Sequence, residues 1–170
     1  MSVMVIDMRI KWVLLTLSLT ACVPAIDVSG DSNIFVVGDS NCYEQYSWAD
    51  LAGFNRDCMW GRQTVHIGRL PKDTNVIFAL GTNDSLYGVP IETTRSQVEY
   101  LFSGTNSSIT CLLPDGDNPV YTDVRDVLIE LCPITLEPRE MGFLFRHPDG
   151  IHGIQSDHDA LSISISDYFN

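Results

Sequence analysis

Three short runs of apolar residues, each closed by a polar, Gly-, Asp- or Asn-bearing loop, set the rhythm of this chain. They are Asn33-Ile34-Phe35-Val36-Val37 before Gly38-Asp39-Ser40, Asn75-Val76-Ile77-Phe78-Ala79-Leu80 before Gly81-Thr82-Asn83-Asp84, and Ser108-Ile109-Thr110-Cys111-Leu112-Leu113 before Pro114-Asp115-Gly116. Continuous apolar runs of this length predict strands covered on both faces, as in a parallel sheet. Between them the period changes to that of a helix. Val98, Leu101 and Phe102 share one face of Glu92 to Phe102, and Val120, Val124, Val127, Leu128 and Leu131 share one face of Val120 to Leu131. A last segment, from about Ser156 to Phe169, reads as a helix, with a strand as the alternative because Ile163 and Ile165 alternate with serines. Strands alternating with helices predict one α/β domain with right-handed crossovers, and a ligand site outside the carboxyl ends of the strands.

The N-terminus departs from that rhythm. Met8-Arg9-Ile10-Lys11 is a short positive region, and Trp12 to Ala21 is uncharged and mainly apolar. A stretch that short does not span a bilayer, which takes about 20 helical residues. Residues 1–22 are therefore expected to be a secretory signal, with Met8 or Met4 as a plausible true start. Leu19-Thr20-Ala21-Cys22 resembles the bacterial lipobox, in which the cysteine, here Cys22, is lipidated; cleavage near Ala25 and a buried first strand are the competing readings. Residues 23–33 (VPAIDVSGDSN) have no periodicity and read as a tether, leaving 34–170 as the domain. The expected location is outside the cytoplasm: a periplasmic or outer-membrane lipoprotein, or a secreted protein.

The chain has 170 residues, 10 Lys+Arg against 22 Asp+Glu, and a formal charge of −12. A hydrophobic share of 45% is that of an ordinary globular domain. The acid excess leaves little to neutralise phosphates, so no nucleic-acid partner is expected. It also argues against electrostatic attachment to anionic lipid, leaving the N-terminal lipid anchor as the only expected membrane contact. Without Cys22 the cysteines are Cys42, Cys58, Cys111 and Cys132, an even set with three pairings. Two disulfides suit an exported chain, and four buried thiols are the competing reading. No CxxC pair exists and no cysteine has a histidine at ligand spacing, so no metal site is expected.

The chemistry lies in the loops. Ser40 follows the first strand near a helix start, where backbone N–H groups lack intrahelical partners and can serve an oxyanion. Asn83 follows another strand, and its side-chain amide is a donor of the same kind. Gly81-Thr82-Asn83-Asp84 is also ordinary turn chemistry. In His147-Pro148-Asp149-Gly150-Ile151-His152, Asp149 and His152 are close enough in sequence to meet within one turn, giving a base and the acceptor that fixes its tautomer.

In this order, these elements resemble the SGNH hydrolases, the GDSL esterase/lipase family. Gly38-Asp39-Ser40 is similar to the family's first block, Gly81-Thr82-Asn83-Asp84 to its third and Asp149-Gly150-Ile151-His152 to its fifth, while Gly61 stands where the second-block glycine belongs. The resemblance covers about 34–170 and implies a flavodoxin-like three-layer α/β/α sandwich with a mainly parallel sheet. It implies Ser40 as nucleophile, His152 as base and then acid, and Asp149 as orienting acceptor. Ser40 N–H, Gly61 N–H and the Asn83 amide would hold the oxyanion, with no metal or organic cofactor. Asp39 and Asp84 would order the two loops from behind.

Asn41 and Cys58-Met59-Trp60 depart from the family pattern, which has an apolar residue after the serine and smaller residues before the glycine. The stretch from Asn83 to Asp149 is short, leaving little material for a lid. The expected activity is that of an exported esterase removing acyl groups, acetyl above all, from a small ester or an acylated polysaccharide of the cell envelope. A lipolytic acyl-hydrolase or thioesterase with the same site is the nearest alternative, and a non-catalytic glycan-binding lipoprotein the other. Among the remaining residues, Trp48, Trp60, Tyr87 and Tyr100 divide between core and sugar stacking, with Trp60 and Tyr87 favoured for the latter. His66 and His158 read as ordinary surface or core histidines, His147 as a neighbour shaping the pocket. Arg62 reads as an ion-pair partner or a contact for a substrate carboxylate, and Asp115-Gly116-Asp117-Asn118 as a solvated turn.

Overall fold

The computed structural model describes residues 33–170. The expected signal sequence with Cys22, and the expected tether up to residue 32, lie outside the described residues. Each apolar run forms a strand: β1 is Ile34–Gly38, β3 is Asn75–Ala79 and β4 is Ser108–Leu112. Two strands were not anticipated by the apolar pattern, β2 at Asn55–Cys58 and β5 at Ile134–Leu136. The five are parallel and lie in the order β2-β1-β3-β4-β5. That is the flavodoxin-like order, with its switch point at β1 and β3.

Successive residues of the central strands feed opposite layers. Val37, Val76, Phe78 and Ile109 join one core with Val98, Leu101, Val124 and Leu128. Val36, Ile77 and Leu112 join the other with Trp48, Phe143, Leu161 and Ile165. The first core is roofed by α4 (Ile91–Ser103) and α5 (Thr122–Leu131). The second is roofed by α2 (Trp48–Leu51) and α6 (Gln155–Phe169). Two short helices, α1 (Ser40–Tyr43) and α3 (Thr82–Leu86), start directly after β1 and β3. The result is a three-layer α/β/α sandwich, and no helix among the described residues is long and apolar enough to cross a membrane.

Four details settle readings that the sequence left open or misplaced. The last segment is helix throughout, with Ile165 in the core and Ile163 on the surface, so the strand alternative is rejected. Val120 lies in a 3-10 turn, Pro119–Tyr121, and is exposed rather than on the buried face of α5. Asp115 is buried, and Arg139 donates to both of its carboxylate oxygens at 2.5 and 2.8 Å, while Gly116 and Asp117 are exposed, so the turn is solvated at its tip and ion-paired at its root. The cysteines pair as Cys42–Cys58 and Cys111–Cys132.

Candidate active site

Sheet register gathers three loops at one edge. Gly38 sits opposite Cys58 on one side and Ala79 on the other, so the chain leaves β1, β2 and β3 at the same level. Ser40 follows Gly38 by two residues, Gly61 follows Cys58 by three and Asn83 follows Ala79 by four. Met59 N–H donates to Gly38 O at 3.2 Å and Asp39 N–H to Ala79 O at 3.3 Å, tying neighbouring loops at their roots. The Cys42–Cys58 disulfide adds a covalent tie between the serine helix and the Gly61 loop. Gly38 has to be glycine here, because a Cβ would stand 2.3 Å from Cys42 Sγ. Gly81 has to be glycine twice over: its φ is +115°, and a Cβ would stand 2.5 Å from Val124 Cγ1.

Ser40 is the first residue of α1 and is buried except at its mouth. Asp39 caps that helix by accepting from Asn41 N–H at 3.1 Å. Burial pushes the Asp39 carboxyl up to about 6, against the opposing pull of the Asn41 N–H and the His152 imidazole. Asp84 does the matching work in the third loop. It accepts from Thr64 N–H at 3.0 Å, Thr64 Oγ1 at 2.6 Å and Thr94 Oγ1 at 3.3 Å, fixing the start of α3 and with it the buried Asn83.

The fourth loop arrives from the far end of the sequence. His152 Nε2 stands 2.7 Å from Ser40 Oγ, and His152 Nδ1 stands 2.6 Å from Asp149 Oδ2. The carboxylate faces Nδ1, so the proton belongs there, and Nε2 is left to accept from the serine hydroxyl. Asp149 Oδ1 also accepts from the backbone N–H groups of Ile151 and His152 at 2.9 and 3.0 Å. Burial works to raise the Asp149 pKa, but the His152, Ile151 and His147 bonds outweigh it and hold the carboxyl well below the usual range. It is therefore an anion at neutral pH. Asp149, His152 and Ser40 thus form an unbroken hydrogen-bonded chain at the sheet edge.

What holds this loop was not foreseen. Asp157, fully buried in the first turn of α6, accepts from Ile154 N–H at 3.0 Å, Arg146 N–H at 3.1 Å, Arg146 Nε at 2.7 Å and Leu144 N–H at 3.3 Å. Burial raises and the Arg146 bond lowers its pKa, with a net downward shift, so the clamp is ionised. Asn41 Nδ2 donates to Ile151 O at 3.3 Å and joins the serine helix to the loop directly, while Asn41 Oδ1 is buried without a partner. The signal for the clamp was an acid in the first turn of a predicted helix; nothing in the sequence marked Asn41 for this bond. His147, three residues before Gly150 in chain direction, brings its Nδ1 to 3.0 Å from the same Asp149 Oδ2 that His152 uses.

The other singled-out residues divide cleanly. Trp48 is core, and its backbone N–H donates to the buried His158 Nδ1 at 3.3 Å. His66 is exposed and accepts from Gln63 N–H. Arg62 is buried and paired with Asp57 at 2.9 Å, the ion-pair reading of the two. Trp60 is half exposed, with its ring centroid 5.5 Å from that of His152, and Tyr43 meets Trp60 edge-on at 6.5 Å. Tyr87 is exposed beside Gly61, its hydroxyl 3.7 Å from where a Cβ there would lie. Tyr100 is exposed on α4, away from these loops.

No protein-family model and no curated protein matches this chain. Solved structures do. The psychrotrophic esterase EstA from a Pseudoalteromonas species matches with a TM-score of 0.55 at 13% identity, over 82% of this chain and 100% of that one. A member of the lipolytic G-D-S-L family from Veillonella parvula matches with a TM-score of 0.55 at 14% identity, over 80% and 97%. TesA matches with a TM-score of 0.51 at 16% identity, over 78% and 94%. At these identities the likeness is one of fold, and this chain has the fold of the GDSL/SGNH hydrolases.

Proposed function

We propose that this chain is a serine hydrolase of the SGNH type that cleaves carboxylic esters through an acyl-enzyme on Ser40. The observation that carries the reading is the chain from Ser40 Oγ through His152 to Asp149, with 2.7 and 2.6 Å links. Ser40 is buried against an imidazole that is itself partly exposed, so a carbonyl would reach it from the open side of the sheet edge. Ser40 Oγ attacks the carbonyl carbon as His152 Nε2 takes its proton. The oxyanion is received by Ser40 N–H, Gly61 N–H and the Asn83 amide, donors that are each worth about 3–4 kcal/mol where one has been removed elsewhere. His152 then protonates the departing alcohol, and water repeats the sequence in reverse to free the acid. Asp149, anionic throughout, steadies the imidazolium in both halves.

We infer further that the ester is small, acetyl above all, and is carried by a carbohydrate or cell-envelope polymer. Between Asn83 and Asp149 the chain is spent on α4, β4, α5, β5 and their connections, with no insertion over the site. Exposed rings lie near the triad, Trp60 beside His152, Tyr43 beside Trp60 and Tyr87 beside Gly61, and flat amphipathic rings suit sugar faces. Export as a Cys22-anchored lipoprotein completes this reading, and the two disulfides suit an oxidising compartment. Rates on p-nitrophenyl acetate, butyrate and octanoate, beside acetate release from an acetylated polysaccharide, test it. Acetate should lead by at least tenfold over octanoate; preference for octanoate would move the assignment to a lipolytic acyl-hydrolase.

A further inference from the structure

His147 takes no part in the chemistry above, yet its Nδ1 shares one carboxylate oxygen with the base. We propose that His147, Asp149 and His152 form a site for a divalent transition-metal ion of the zinc class, and that filling it turns the esterase off. The inhibitory half rests on the hydrolase reading; the binding half does not.

The three donor atoms, two imidazole Nδ1 and one carboxylate oxygen, lie within 4.8 Å of one another. Their two N···O separations are 2.6 and 3.0 Å. Around a tetrahedral zinc with bonds of about 2.0–2.1 Å, adjacent donors stand roughly 3.3 Å apart, so the ion is admitted when each N···O contact opens by a fraction of an ångström and the two imidazole nitrogens, within 4.8 Å of each other, come to the same spacing. The loop can supply that movement at the His147 end, where the side chain is half exposed. His147 Nδ1 already faces into the cluster, 3.0 Å from Asp149 Oδ2 and 3.4 Å from Asp149 N, and the ion would take the place of any proton it carries there. Two imidazoles and one carboxylate are a donor set for zinc, copper or nickel, whereas magnesium and calcium prefer all-oxygen sites. Three protein donors on an exposed turn leave the fourth position to water.

The same arrangement explains why occupancy stops the reaction. A metal on His152 Nδ1 takes the place of the proton that Asp149 accepts, and Asp149 becomes a ligand. The neutral imidazole then carries its proton on Nε2, the atom 2.7 Å from Ser40 Oγ. Nε2–H donates to the serine oxygen, the outer-sphere bond a metal-bound imidazole ordinarily makes. Nothing remains to take the serine proton. Substrate still reaches the oxyanion donors, so kcat falls while KM holds.

The test uses tag-free protein stripped with a chelator and titrated with ZnCl2, reading binding by calorimetry and rate on p-nitrophenyl acetate in parallel. One zinc per chain is expected to bind in the micromolar range and to lower kcat at least tenfold, with full recovery on adding chelator and no effect of MgCl2 or CaCl2. His147→Gln, compared with its own rate in chelator, should weaken both zinc binding and inhibition at least tenfold. Tetrahedral d–d bands on substitution with cobalt, lost in His147→Gln, would place the ion without reference to activity. Zinc binding equally tight in His147→Gln, or no binding below millimolar, would overturn the proposal. Site-specific binding without loss of rate would overturn its inhibitory half alone.

Discussion

The proposed nucleophile and its proposed base are held by opposite means. Ser40 sits on a helix start rooted in β1, beside a disulfide and above two apolar cores. His152 sits in a segment without regular structure, fixed by polar bonds to Asp157, Asn41 and its own neighbour Asp149. Packing holds the first in place; a hydrogen-bonded clamp holds the second. Apolar burial survives salt and pH, whereas the clamp depends on which groups carry charge. The account therefore expects the two sides to fail differently.

The largest effect tests their union. Ser40→Ala and His152→Ala should each lower kcat by about 10⁴-fold or more, and the double variant should be little worse than either, because the two act as one unit. Additive losses would mean they work separately. Next comes the clamp. Asp157→Ala strands the Arg146 guanidinium and three backbone N–H groups, and should cost about 2–3 kcal/mol in denaturant unfolding with at least a tenfold drop in kcat. Unchanged kcat in the folded variant would show that the loop needs no clamp.

The two disulfides sharpen the contrast from within. Cys42–Cys58 and Cys111–Cys132 close segments of similar length, 16 and 21 residues apart, so replacing either pair by serine should cost about 2–4 kcal/mol of stability. Only the first joins the serine helix to the Gly61 loop, so only its loss should lower kcat, by several-fold. Equal rates in the two variants would separate the staple from the oxyanion donors.

The smallest effect concerns Asp39. Its folded-state pKa, about 6, lies above the ordinary 3.8, so the folded form binds the proton more tightly. Stability is then fully favoured below pH 3.8 and lost as the pH rises towards 6, a difference on the order of 3 kcal/mol at most. Asparagine caps a helix as well as aspartate does. Asp39→Asn should therefore raise Tm at pH 8 and leave it nearly unchanged at pH 4. An equal shift at both pH values would contradict the buried-charge account.

Much of this was legible in the chain because strands buried on both faces leave continuous apolar runs. β2 was not, since an edge strand reading Asn-Arg-Asp-Cys has Arg56 tied to Asp50 and to the carbonyls of Cys42 and Glu44 instead of a core. β5 was too short, at three residues, to show a period. Ser40, Gly61, Asn83, Asp149 and His152 stood out because their chemistry needs particular residue types in particular loops. The bonds of Asp157 and Asn41 did not, because they join segments 11 and 110 residues apart, and the His147 contact depends on how one Pro/Gly turn closes. Asp157 could be read only as a helix cap, and His147 only as a neighbour of the base.

Covalent capture at Ser40 tests the central claim most directly. The wild-type protein, Ser40→Ala and His152→Ala are incubated with a p-nitrophenyl alkylphosphonate, and each is followed by intact mass and peptide mapping. The account predicts one phosphonyl group per wild-type chain, on the peptide bearing Ser40, none on Ser40→Ala, and labelling slowed by orders of magnitude on His152→Ala. Labelling of folded Ser40→Ala at the wild-type rate, or wild-type label on any other residue, would contradict it.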